Sequence, residues 1–259
     1  DRMCKEKKEK RKVKKYIKNI LTDNVLWIFT AITLIFFGTL YKMEFAVDTY
    51  ATLSFTMKEF INQFASSGRF LLVLVGIIFK ILNFNNKTIY ILSYLMAIMC
   101  MVISLYKLYS IIKEDIGSKF LKILIPILIV LNAFSLELFL FIEKGIMLFG
   151  VTMCIFAGGE IKKWLESKNK KYLILSGIFM LLANFSYQGV VGIFVAISII
   201  YILKYSKNIK EFVINNICVA LSYGIPAIID YLLIKICYIS SRINGEIILS
   251  ESLKKIYKS

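Results

Sequence analysis

Eight apolar runs divide this chain, at about residues 24–41, 70–82, 89–112, 120–142, 145–161, 172–185, 190–205 and 212–239. Only short polar breaks separate them, such as NFNNK, IKEDIGSK, KKWLESKNKK and KYSKNIKE. A soluble domain of 259 residues could bury one good core, but it would not string 58% hydrophobic residues into runs this long. The pattern predicts a polytopic membrane protein. Its spans should be helical, because a backbone in lipid must satisfy its own hydrogen bonds. The runs are continuous rather than alternating, which argues against a transmembrane barrel. The expected fold class is therefore all-α.

Charge sets the orientation. The net charge is +16, and residues 1–19 carry ten Lys/Arg against three acids. Such a run beside a membrane segment reads as a cytoplasmic retention signal on anionic lipid rather than a nucleic-acid arm. It lacks the cleavage site of a signal peptide. The segments 107–122, 162–171 and 204–210 are also Lys-rich and should share the cytoplasmic side. If both 70–82 and 89–107 crossed, every later basic loop would face outward. The conflict disappears if 70–84, which is too short to cross, lies on the outer surface as an interfacial or re-entrant helix. Seven spans follow: 24–41, 89–107, 120–136, 145–162, 172–186, 189–205 and 212–238, the last kinked or broken at Pro226. The expected organisation is a basic cytoplasmic segment at 1–19, a transmembrane domain at 20–239 with its first outer loop at 42–88, and a C-terminal segment at 240–259 leading into a further part of the protein. The expected location is the cell membrane, multi-pass, with the N-terminus in the cytoplasm.

His is absent, so acid–base chemistry would fall to carboxylates. Cys4, Cys100, Cys154, Cys218 and Cys237 show no metal or CxxC spacing and read as small hydrophobes. Three polar stretches gather on the outer side. FAVDTY holds Asp48 and Tyr50, and the same loop closes at SSGR with Arg69. SLELFLFIEKG holds Glu137, Glu143 and Lys144, spaced to share one helix face. NFSYQG holds Tyr187 and Gln188 at the junction of two spans. Polar residues beside apolar runs are costly without partners, so each is a candidate site residue. Each also has an ordinary reading: Asp48 as a solvated loop acid, Arg69 on lipid headgroups, Glu143-Lys144 as a snorkelling pair, Tyr187 as an interface anchor, and Gln188 as an interhelical hydrogen bond.

Four stretches in this order carry a resemblance: FAVDTY (45–50), SGRFLLVL (67–74), LNAFSLELFLFIEKG (131–145) and FSYQGVV (185–191). Across about residues 20–205 the chain resembles the GT-C superfamily of membrane glycosyltransferases, and within it the bacterial O-antigen glucosyltransferase II family. The resemblance implies an outer face that binds a polyprenyl-phosphate sugar and an acid in the first outer loop needed for transfer, here Asp48. Many superfamily members carry two acids there; this chain has Val47-Asp48. A divalent metal is thus left open, and no other cofactor is implied. The expected function is transfer of a hexose, glucose by the family, to a cell-surface glycan or lipid-linked acceptor. In that reading Asp48 is the base and Arg69 holds the phosphate. Tyr50, Glu137, Glu143, Lys144, Tyr187 and Gln188 contact sugar or acceptor. The alternative is a transporter or lipid-linked sugar flippase without transferase activity.

Overall fold

The computed structural model describes residues 23–38 and 54–237. These residues form ten α-helices and one short 3₁₀ turn, and no strand occurs among them. The helices are α1 (Asn24–Phe37), α2 (Met57–Ala65), α3 (Phe70–Ile81), α4 (Asn86–Ile112), α5 (Lys119–Val130), α6 (Ala133–Leu138), α7 (Lys144–Ser167), α8 (Lys170–Ser186), α9 (Val191–Tyr205) and α10 (Ile209–Cys237).

Side-chain chemistry in the breaks sets where these helices begin and end. Asp23, Asn85, Ser118, Asn132 and Asn169 each cap the helix that follows, accepting a backbone N–H of its first turn. Thr56 and Glu59 form a reciprocal capping box at the start of α2. Helix α3 stops at Asn83, which adopts φ 52° while the Phe84 N–H bonds the Phe79 carbonyl. The NFNN break therefore supplies both a left-handed stop, at Asn83, and a new cap, at Asn85. Helix α7 stops in the same conformation at Lys168, with φ 56°.

Four helical stretches are long and apolar enough to cross a bilayer: Asn86–Ile112, Lys144–Ser167, Gln188–Tyr205 and Ile209–Ile236. This is a membrane protein. Its outer surface agrees: Ile35, Leu128, Ile174, Ile200, Leu203 and Ile236 are exposed, whereas Ser104, Thr152, Ser198 and Asn184 are buried. Helices α1, α5 and α8, of 14, 12 and 17 residues, are shorter than those four.

Contacts fix the direction in which each element runs. Helix α7 lies parallel to α4: the Gly145 N–H donates to Ser93 Oγ (3.0 Å), Ser104 and Thr152 hydroxyls meet at 3.0 Å, and Lys162 Nζ donates to the Ile111 carbonyl (2.5 Å). Helix α1 runs antiparallel to α4, with Tyr94 donating to the Phe37 carbonyl and Tyr106 to Asp23. Helix α7 is the central element, buried along most of its length against α4, α8 and α9. Its core neighbours include Phe29, Met101, Leu105, Met180 and Phe194. The bundle thus has two polar ends. One holds Asp115, Lys162 and Lys204; the other holds Arg69, Glu143 and Tyr187.

Two expectations change. Residues 120–136 are not one helix: α5 contains Pro126 and ends at Val130, and Asn132 starts α6. The Val130 carbonyl instead accepts the Ser135 hydroxyl at 2.5 Å. Helix α10 runs unbroken through Pro226. Helix α3, at 12 residues, is about 18 Å long and too short to cross alone, as read from the sequence.

Candidate functional site

The SSGR turn is built by the end of α2. Gly68 takes φ +78°, its N–H bonds the Ala65 carbonyl, and the Arg69 N–H bonds the Phe64 carbonyl. This pair of bonds is a Schellman stop with glycine in the left-handed position. It fixes Arg69 as the residue that opens α3.

From there the Arg69 guanidinium points into the bundle end. Its Nη1 lies 3.6 Å from Glu143 Oε1, and its carbon sits 5.0 Å from the Tyr187 ring centre and 5.8 Å from that of Phe64. The ion pair is longer than a hydrogen bond. Arg69 Nε is buried and has no hydrogen-bond partner among the described residues.

Glu143 and Lys144 begin α7, and neither snorkels. Glu143 is 9% exposed and Lys144 is 0% exposed. The Lys144 ammonium lies 4.0 Å from the Tyr90 ring centre and makes no hydrogen bond among the described residues. A buried cation resting on a ring face gains a cation–π contact, and its N–H donors find no acceptor among the described residues. Gly145 permits the arrangement, since a Cβ there would stand 2.8 Å from the Ser93 carbonyl oxygen.

Gln188 is engaged through its amide nitrogen. Its Nε2 donates to the Ser67 carbonyl and to Asp230 Oδ2, both at 3.0 Å. A side-chain amide has two N–H donors, and both are committed. Glu137 lies on α6, exposed, with no ion pair among the described residues. It cannot share a helix face with Glu143, because the turn after Leu138 separates their helices. Asp48 and Tyr50 lie outside the described residues.

A cavity of about 320 Å³ opens between α2, α3, the start of α4 and the turn before α7. Phe60, Phe64, Leu72, Phe79, Phe84 and Ile146 form apolar wall, and Ser93, Lys80 and Glu143 supply polar points. The cavity reaches Phe64 and Glu143, the same two residues that flank the Arg69 guanidinium. Among the described residues no group of three His, Cys, Asp or Glu side chains is placed to hold a metal ion.

The site thus joins Arg69, Glu143 and Tyr187 directly, with Lys144 beside them and Gln188 behind. Sequence reasoning missed Asp230, Tyr90 and Ser93. A signal for Asp230 existed: it is a lone acid deep in an apolar run.

The described residues thus form a helical membrane bundle with a largely buried charged cluster at one end and an apolar cavity beside it. The family model for glucosyl transferase GtrII matches residues 37–257, most of the chain, and the protein belongs to that family. Membership implies glucosyltransferase activity, with a sugar donor and an acceptor. No curated protein and no solved structure matches the chain.

Proposed function

We propose that the chain moves glucose from a polyprenyl-phosphate donor to a glycan or lipid-linked acceptor at the outer face of the cell membrane. The observation that carries this reading is an apolar cavity that ends at Phe64 and Glu143, the residues that meet the Arg69 guanidinium, with the Lys144 ammonium one residue further along the chain. A phosphate carried on an isoprenoid chain matches both features. Guanidinium and ammonium groups hold phosphate oxygens and offset the charge that grows on the leaving group. The cavity between α2, α3 and α4 takes the first part of the tail. The Arg69 end then faces outward and the Lys-rich Asp115 end faces the cytoplasm with the N-terminus, as the positive-inside bias requires. Helices α2 and α3 lie at the outer interface.

In this reading Asp48 takes the proton of the acceptor hydroxyl. The acceptor oxygen forms its bond to the sugar's anomeric carbon, and the bond from that carbon to the phosphate oxygen breaks. The bonding electrons leave on the phosphate, held by Arg69 and Lys144. Direct displacement with one base inverts the anomeric centre. A positioned carboxylate base contributes about 10²- to 10⁴-fold in rate. Glu143 sets the Arg69 guanidinium, while Tyr187 and Tyr50 face the sugar.

The test supplies membranes containing the protein with polyprenyl-phosphate [¹⁴C]glucose and measures label leaving the lipid fraction. Label transfer by the wild-type protein and its loss in Asp48→Asn at equal abundance support the reading. Equal transfer by Asp48→Asn removes Asp48 as the base.

A further inference from the structure

Asp230 is the anomaly of α10. Its neighbours Ile228, Ile229, Tyr231 and Leu232 are exposed apolar residues, yet Asp230 itself is 6% exposed and turned into the bundle. A carboxylate within a membrane-length helix is costly, so its retention needs a reason. Its Oδ2 accepts the Gln188 amide at 3.0 Å, and its Oδ1 has no partner among the described residues. The same amide nitrogen donates to the Ser67 carbonyl at 3.0 Å. Gly68 is pressed against both side chains: a Cβ there would stand 2.4 Å from Gln188 Nε2 and 2.9 and 3.0 Å from the two Asp230 oxygens. The turn that launches Arg69 is therefore seated on a Gln188–Asp230 bracket drawn from two other elements.

We propose that Asp230 is a positioning residue. Through Gln188 it holds the Ser67-Gly68-Arg69 turn against α10 and so sets where the Arg69 guanidinium stands. Its functional consequence rests on the reading of Arg69 given above; the mechanical part does not. The bracket requires an acceptor at position 230, not a charge. Asparagine keeps that acceptor and alanine removes it.

Two measurements on the purified full chain in detergent separate the parts. Hydrogen exchange of a peptide covering 66–70 is compared with one covering 100–108 in α4, for wild type, Asp230→Ala and Asp230→Asn. Donor KM and kcat are measured in parallel with polyprenyl-phosphate glucose, including Arg69→Ala and the Arg69→Ala/Asp230→Ala double variant. In Asp230→Ala, exchange at 66–70 should rise by about tenfold or more, the equivalent of losing one net hydrogen-bonded contact, with 100–108 unchanged. Donor KM should rise about tenfold with little change in kcat, and the double variant should be no worse than Arg69→Ala, as coupled residues require. Asp230→Asn should restore both readouts. Unchanged exchange in Asp230→Ala overturns the inference. So does an Asp230→Asn variant that keeps the turn protected but loses transfer as Asp230→Ala does, since that assigns the carboxylate itself to chemistry. Loosened exchange without any donor dependence on Arg69 counts against the donor-site reading and leaves the bracket standing.

Discussion

Arg69 Nη1 stands 3.6 Å from Glu143 Oε1, joining the start of α3 to the start of α7. The carboxylate is buried and the guanidinium is sandwiched toward Tyr187 and Phe64. If Arg69 is there for a phosphate, Arg69→Ala should raise donor KM by roughly 10- to 100-fold, the range of a lost charge-assisted contact. Arg69→Lys keeps the charge but not the planar fork or the ring stacking, so it should recover only part of the loss. Initial rates against donor concentration check this.

Lys144 separates a structural role from a binding one. Its ammonium is fully buried and makes no hydrogen bond among the described residues. A methionine of similar length removes that unsatisfied group, so Lys144→Met should leave thermal stability unchanged or raise it by about 1 kcal/mol. Donor affinity should nonetheless fall about tenfold or more. Thermal unfolding beside donor titration reads both; a variant that loses stability and keeps affinity makes Lys144 a structural residue.

Gly68→Ala should damage the same site through the backbone. The left-handed conformation costs a non-glycine residue about 1–2 kcal/mol. The added Cβ also meets the Gln188 amide at 2.4 Å. The melting temperature should drop, and donor KM should rise as the Arg69 turn is displaced.

The opposite bundle end gives a pH prediction. Asp115 accepts Lys162 Nζ at 2.9 Å, Tyr201 Oη at 2.7 Å and Lys204 Nζ. Burial opposes its ionisation, but the bonds from Lys204, Lys162 and Tyr201 outweigh that and hold its carboxyl at about 2, below the ordinary 3.8. A depressed carboxyl contributes stability that is fully present above its unfolded pKa and disappears as pH falls through the folded one. Solvent screening at this exposed end reduces what the shift is worth, so this group should contribute on the order of 1 kcal/mol above pH 4, lost between about pH 4 and 2, and nothing that varies from pH 5 to 8. Asp115→Asn should lower stability at pH 7 and flatten that acid limb. Unfolding followed across pH 2–7 checks both.

Much of this was legible in the residues. Three of the Lys-rich breaks do come together at one bundle end, as Asp115 with Lys162 and Lys204. SSGR read as the close of a loop and is a left-handed helix stop. Elsewhere hydropathy hid detail. The run at 120–142 averages as one apolar segment, so its average could not report the break between Val130 and Asn132. That error carried Glu137 onto the helix of Glu143. Asp230 is hidden the same way, one acid diluted in a long span, and the sequence could not show that it and the Ser67 carbonyl take the amide donors of Gln188.

The central claim is outward glucosyl transfer with Asp48 as base. Mass analysis of surface glycans from cells expressing the full-length gene, against Asp48→Asn at matched membrane abundance, tests it most directly. The account predicts a hexose increment with the wild-type protein that is absent with Asp48→Asn. An increment that survives the substitution, or none with the wild-type protein, contradicts it.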